Sequence, residues 1–163
     1  MSSAPRIQEQ VHGILSKAGV EFTVSADGSR FQIPCGTTCC AVEVRQWDES
    51  VVAEVKAFVL ENIDATAERR LKILERLNQL NRDGMFGTAY LLDGKDSAAV
   101  ILEHQLLGEA MDGCELMDVL AAARARAERL DGELMAEFES GERWGDVEAR
   151  RQDEGDVGVT VEA

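Results

Sequence analysis

The sequence predicts an α+β domain in which one antiparallel sheet is packed with helices in the order α-β-β-β-β-α-β-β-α. Two Asp-Gly turns, at Asp27-Gly28 and Asp93-Gly94, each separate short apolar segments, which indicates β-hairpins. Three other segments repeat apolar residues at helical spacing. This order favours helices on one side of the sheet. The other face and the edges would then be covered by a second copy or by another polypeptide.

The N-terminal third predicts one helix and three strands. Apolar residues at helical spacing begin after Pro5 and stop at Gly19, so the first helix is expected over Pro5–Ala18. The segments VEFTV and RFQIP flank the first Asp-Gly turn as strands one and two. In CCAVEVRQW, side chains alternate as in a half-buried strand, which predicts strand three.

The segment 51–63 fits two periods. A strand explains the spacing of Val51, Ala53, Val55, Ala57 and Val59. A helix capped by Ser50 would instead explain Val51, Val52, Val55, Phe58 and Val59. We favour the strand because β-branched residues are frequent and Asp48-Glu49-Ser50 is typical of a hairpin connection.

Helix two is expected over Ala67–Asn81, where leucines form an apolar stripe among charged residues and Gly84 supplies the stop. Asn78 and Asn81 lie one turn apart on this helix. Their amides would either recognise a ligand or bond the backbone of an adjacent strand, and we favour the structural role.

The C-terminal half predicts a second hairpin and a long helix. Strands are expected near Met85–Leu92 and Ser97–Leu107. The D-x-x-E arrangement at Asp112 begins the third helix, and Gly132 within it predicts a bend or an early end, since glycine costs about 1 kcal/mol relative to alanine. Residues 1–140 are therefore expected to form the domain, and residues 141–163 a charged, mobile acidic tail.

The composition limits the partners and the location. The 163 residues include 31 Asp and Glu against 17 Lys and Arg, a formal net charge of -14. This charge repels phosphate backbones, so no nucleic acid is expected as a partner, whereas basic polypeptides are favoured. No stretch approaches the roughly 20 consecutive apolar residues of a membrane span. We therefore expect no membrane partner and a cytoplasmic location.

The sequence contains no recognisable catalytic or metal-binding motif. Glu9 and His12 have E-x-x-H spacing, but a di-iron site needs a second such pair. The cysteines of CGTTCC lack a CxxC pair and a neighbouring histidine, so reduced, buried thiols are expected. Walker, nucleophile-elbow and G-x-G-x-x-G patterns are also missing. We expect no catalytic residues, no metal and no cofactor, and hence a protein that is not an enzyme.

Four short packing motifs follow one another along the chain. They are Gly36-Thr37-Thr38 before a long strand, the helix end Leu77-Asn78-Gln79-Leu80-Asn81, Phe86-Gly87 opening the second hairpin, and Leu106-Leu107-Gly108 before the helix from Leu116 through Leu130-Asp131. Over roughly Ile7–Phe138, this pattern resembles the YbjN and type III secretion chaperone-like proteins, especially their small actinobacterial branch. The resemblance implies a compact acidic domain, usually dimeric, that holds extended polypeptide segments without chemistry.

These observations predict a non-enzymatic, chaperone-like module that binds an extended polypeptide or another protein. The candidate peptide-binding residues are the apolar and aromatic side chains Val11, Leu15, Phe22, Phe31 and Trp47. A homodimer is expected, because the open sheet and the leucine-rich second helix need cover. The alternative is a structural or regulatory subunit bound permanently to one folded partner protein.

Overall fold

The computed structural model describes residues 3–84, 87–94 and 97–156, with side chains up to Arg150. The elements are α1 (Ala4–Lys17), β1 (Thr23–Val24), β2 (Arg30–Cys35), β3 (Thr38–Trp47), β4 (Ser50–Ile63), α2 (Ala67–Asp83), β5 (Thr88–Asp93), β6 (Ala98–Leu107), α3 (Gly113–Phe138) and α4 (Trp144–Asp156). The strands form one antiparallel sheet in the order β1-β2-β3-β4-β6-β5. The predicted α+β class and the order of elements through α3 are confirmed.

Both predicted hairpins are present. In the first, the Asp27 carboxylate accepts hydrogen bonds from the Ser25 hydroxyl at 2.6 Å and from the Ser29 N–H at 3.1 Å. These bonds, led by that from Ser25, lower the pKa of Asp27 to about 2. Gly28 has a φ of 72°, which glycine adopts without strain. In the second hairpin, Lys95 and Asp96 lie outside the described residues, as do Met85 and Phe86 at its predicted start.

The ambiguous segment 51–63 is a strand, as favoured from its composition. β4 pairs with β3 on one side and β6 on the other, so it is a central strand of the sheet. The register shifts after Phe58 and again after Leu60. Both Leu60 and Ile63 are consequently buried in the same core, which strict alternation would not allow.

Three helices cover one face of the sheet. α1 and α3 both pack against β3 and β4, and α2 packs against β5 and α3. Each helix buries one stripe: Ile7, Val11 and Leu15 from α1, Ile73 and Leu77 from α2, and Leu116, Leu120, Ala123, Ala127, Leu130 and Leu134 from α3. The stripes of α1 and α3 are as predicted, whereas the predicted leucine stripe of α2 is corrected, since Leu71 and Leu74 are exposed. The main hydrophobic core lies between this layer and the sheet.

Helix α3 does not end at Gly132, so the predicted early end is corrected. The helix begins where the Asp112 carboxylate accepts a hydrogen bond from the Glu115 N–H at 2.8 Å. It runs to Phe138 and stops at Glu139, whose φ of 49° is left-handed. Because Leu134 and Phe138 beyond the glycine are still buried, their packing offsets its cost.

The expectation of a mobile tail from residue 141 is corrected for the described part of this segment. Helix α4 packs against β3 and β4, and its Trp144 and Val147 side chains are buried. Both lie outside the main core, as do Cys39, Ala41 and Ile101, which point to the sheet face opposite α1–α3. α4 therefore covers part of the second face, so the helices are not confined to one side. Residues 157–163 lie outside the described residues.

Candidate functional site

The centre of the second sheet face carries an ion cluster, formed by Glu43, Arg45, Glu54, Lys56 and Glu103. The β2–β3–β4–β6 register aligns these side chains in adjacent rows. Lys56 Nζ lies 2.5 Å from a Glu43 oxygen and 3.0 Å from Glu54 Oε2, and Arg45 donates to Glu54 Oε1 at 2.5 Å. The middle of this face is therefore polar and internally paired, so an apolar ligand does not fit there.

Glu54 is the most buried member of the ion cluster, with 0% of its surface exposed. Burial acts to raise its pKa, but the hydrogen bonds from Arg45 and Lys56 prevail and hold it below the usual range. The pKa of Lys56 is raised in turn, since the hydrogen bonds that it donates to Glu43 and Glu54 outweigh its desolvation. Both side chains are consequently charged at neutral pH.

One end of the second face is apolar and open. Trp47 and Leu107 are 59% and 62% exposed, and with the buried Val52 they line a cavity of about 390 Å³. We call these three residues the Trp47 patch. Leu107 was missed from the sequence, although alternation in β6 sends Leu106 to the core and Leu107 to the opposite face.

The structure separates the five predicted peptide-binding residues. Val11, Leu15 and Phe31 are buried in the main core, so the expectation that the first helix and strand two offer exposed anchors is corrected. Phe22 is half-buried and packs edge-on against Phe31, with ring centroids 5.9 Å apart. Only Trp47 is exposed and faces away from the main core. Helical spacing identified the buried stripe of α1 correctly, but that stripe faces the sheet.

The sheet edges offer little backbone for strand pairing. Val44 N donates a hydrogen bond to Ser29 O. Every second residue of β2, counted from Ser29, therefore bonds to β3, and the backbone groups of the residues between them point away from β3. Pro34 is one of these residues. It lies past the part of β2 that β1 pairs with, and it has no backbone N–H to donate. At the opposite edge, the outward backbone groups of Ala89 are bonded by the Asn81 side chain. Addition of a further strand is therefore obstructed at one position on each side of the sheet, at Pro34 and at Ala89.

The described residues contain no group of three or more His, Cys, Asp and Glu side chains able to hold a metal ion. All four cysteines are free thiols. His12 makes a hydrogen-bond contact with the Ser16 hydroxyl and an edge contact with Phe22, so a local structural role accounts for it. In the same described part of the chain, no helix has the length and apolar character to cross a membrane.

Comparison with known families assigns the chain to a class of peptide-binding chaperones. The family described as T3SS (YopN, CesT) and YbjN peptide-binding chaperone 1, TY-Chap1, matches residues 5–146. The chain belongs to this family of peptide-binding chaperones. The family predicted from the sequence is thus confirmed, whereas the actinobacterial branch stays a prediction.

Two solved structures are similar to this chain. YbjN from E. coli superposes with a TM-score of 0.61 at 10% sequence identity, covering 83% of this chain and 95% of the other. The Yersinia pestis type III secretion chaperone SycH, solved with a stable fragment of YscM2, gives a TM-score of 0.46 at 19% identity, covering 76% and 98%. No curated protein matches the sequence. At these identities, the likeness to YbjN shows the fold alone.

Proposed function

We propose that this chain is a non-enzymatic chaperone that binds an extended, basic or neutral polypeptide segment at the Trp47 patch. The observation that carries the proposal is the exposure of Trp47 and Leu107 around one cavity. Large aromatic side chains supply much of the binding energy in protein interfaces, particularly around such a concavity. Membership of a peptide-binding chaperone family supports the same function.

The client is held through its side chains. We do not expect strand addition to dominate, because Pro34 and Asn81 obstruct pairing at one position on each side of the sheet. Asp48 lines the cavity and Glu49, next to it in the chain, is exposed, so two carboxylates lie at this turn. This charge favours basic segments mainly by raising the association rate, and added salt should slow association more than it changes dissociation.

The test compares a fluorescent peptide of alternating leucine and lysine with one in which glutamate replaces lysine. We expect the basic peptide to bind, and Trp47→Ala to weaken its binding about 30-fold, the effect of a hot-spot residue worth about 2 kcal/mol. Leu92→Ala is the matched control, because Leu92 is 49% exposed at another edge of the sheet. Unchanged affinity of the Trp47 variant, or equal affinity for both peptides, would contradict the proposal.

We also propose a homodimer formed by antiparallel pairing of two α2 helices. Leu71 and Leu74 are exposed on α2, at 59% and 39%. The helix has the exposed Glu68 near its start and the exposed Arg82 near its end. Antiparallel pairing about a two-fold axis brings Leu71 and Leu74 of one copy against the same residues of the other.

The dimer is tested by light scattering during size-exclusion chromatography at micromolar concentration. We expect twice the chain mass of 17.8 kDa for the parent protein and the single mass for Leu71→Asp with Leu74→Asp. Circular dichroism confirms that the variant is folded, and Leu92→Asp serves as a control that should remain dimeric. A parent protein with the mass of one chain would contradict the proposed homodimer.

A cytoplasmic location is supported by four free cysteines, because thiols persist in a reducing compartment. Fractionation of the native cell with an antibody against the protein tests the location. Recovery of the protein outside the cytoplasmic fraction would contradict it. Affinity capture from the cytoplasmic fraction separates the two modes of binding: several unfolded clients are expected of a chaperone, and one folded partner in fixed ratio of a permanent subunit.

A further inference from the structure

Two cysteines lie together on the core side of β2 and β3. The register pairs Ile33 with Cys40 and Cys35 with Thr38, so Cys35 and Cys40 are diagonal neighbours on one face of the hairpin. Both line a cavity of about 340 Å³ between β2 and α3, whose apolar wall includes Met117 and Leu120. This cavity is separate from the Trp47 patch and has no part in the proposed peptide binding.

The other two cysteines are placed differently. Cys39 points to the opposite face of the sheet and is fully buried, and burial raises its pKa to about 12. Cys114 is exposed in the first turn of α3 and does not line the cavity. The fold therefore joins only Cys35 and Cys40 in one accessible space.

The surroundings of Cys35 favour its thiolate. A hydrogen bond from Cys40 lowers the pKa of Cys35, and the positive charge of Arg124 at the rim of the cavity acts in the same direction. Cys35 retains 8% of its surface, whereas Cys40 is fully buried. A small oxidant that enters the cavity consequently meets the more reactive thiol first.

We propose that Cys35 and Cys40 form a reversible intramolecular disulfide when hydrogen peroxide or another small peroxide enters this cavity. The Cys35 thiolate attacks the peroxide, giving a sulfenic acid and releasing hydroxide. The Cys40 thiol then loses its proton and attacks the Cys35 sulfur, forming the disulfide and releasing water. Two thiols are oxidised while one peroxide is reduced, and a small thiol reverses the reaction by exchange.

The bond would join β2 to β3 beside the Gly36-Thr37 turn. Diagonal neighbours on antiparallel strands lie about 7 to 8 Å apart, slightly beyond the usual Cα separation of a disulfide, so forming the bond requires the backbone of the hairpin to tighten. Gly36 has a φ of 61° in this turn, and the turn lies directly between the two cysteines. Strained disulfides are readily reduced, which makes the pair suited to reversible modification.

The experiment treats the folded parent protein with hydrogen peroxide, alkylates free thiols in denaturant and analyses the tryptic peptide 31–45. This peptide contains Cys35, Cys39 and Cys40. We expect it to lose two hydrogen atoms in mass and two of its three labels, with the remaining label on Cys39. Dithiothreitol should restore all three labels.

Variants separate the proposed pairing from other oxidation. In the Cys39→Ser and Cys114→Ser variants, Cys35 and Cys40 should still lose their labels after peroxide. In Cys40→Ser, Cys35 should remain as a sulfenic acid that dimedone traps. Three labels after peroxide, a bond to Cys39, or chains linked through Cys114 would each overturn the proposal. The parent protein alone distinguishes these outcomes, so the test stands even if Cys40→Ser does not fold.

Discussion

The side-chain amide of Asn81 forms two hydrogen bonds with the backbone of Ala89. Its Nδ2 donates to the Ala89 carbonyl at 2.8 Å, and its Oδ1 accepts from the Ala89 N–H at 2.7 Å. The Asn81 side chain thereby makes the two hydrogen bonds that a neighbouring strand would otherwise make to Ala89 of edge strand β5. Because both groups of Ala89 are satisfied inside the chain, this part of the edge cannot pair with another strand unless α2 moves.

We expect Asn81→Ala to lower the free energy of unfolding by about 2 kcal/mol, since two part-buried backbone groups lose their partners. Asn78→Ala is the matched control, because Asn78 is exposed one turn earlier on the same helix and should change stability by less than about 0.5 kcal/mol. Urea denaturation measures both values. Equal effects of the two substitutions would contradict the role assigned to Asn81.

The ion cluster predicts a pH dependence of stability. The pKa of Glu54 is lower in the folded protein than the unfolded value of about 4.3, so its contribution is complete above that pH and is lost as pH falls through the folded pKa. Glu54→Gln should cost roughly 2 kcal/mol at pH 7, because Arg45 and the part-buried Lys56 each lose one charged hydrogen-bond partner. Denaturation between pH 3 and 7 should show a smaller acid-induced loss for the variant than for the parent. Glu49→Gln, a change at an exposed position, should lose as much stability in acid as the parent protein. An equal acid-induced loss for Glu54→Gln and the parent would contradict the pairing assigned to Glu54.

The corrected position of α1 predicts a contrast between two leucines. Leu15 is fully buried and Leu92 is 49% exposed. Leu15→Ala should lower the unfolding free energy by about 2 to 5 kcal/mol, as for other core leucines, and Leu92→Ala by less than about 0.5 kcal/mol. Thermal or chemical denaturation measures both. A small effect at Leu15 would mean that α1 is not packed as described.

The docking of α4 is tested by its tryptophan. Trp144 is buried against the sheet, so Trp144→Ala should destabilise the protein by roughly 3 kcal/mol and speed tryptic cleavage after Arg143. Trp47→Ala removes the same side chain from an exposed position and should leave both stability and cleavage unchanged. If the two variants behave alike, residues 144–150 do not pack on the sheet.

Local patterns were sufficient to predict most of the fold. The Asp-Gly turns fixed both hairpins, and the β-branched content of 51–63 correctly favoured a strand. The preferred role of Asn81 is also confirmed by its bonds to Ala89. In each of these cases, the signal lies within a few residues and agrees with the tertiary packing.

The exposed site was harder to predict because periodicity identifies an apolar stripe without showing what covers it. Val11 and Leu15 form a regular stripe on α1, and the sheet buries it. Trp47 and Leu107 come from strands far apart in sequence, and only the β3–β4–β6 register brings them to one cavity. Similarly, α4 is polar for most of its length, and its two buried anchors, Trp144 and Val147, give too weak a pattern to predict a helix.

The position of α4 has a consequence for synthesis on the ribosome. All six strands precede α4 in the chain, so the sheet can assemble before its second face receives that helix. During that interval, β3 and β4 lack the cover that α4 supplies. A chain that stops after α3 would retain every strand of the described sheet but would expose an apolar surface to cellular quality control. The cover of this face therefore depends on the synthesis of α4.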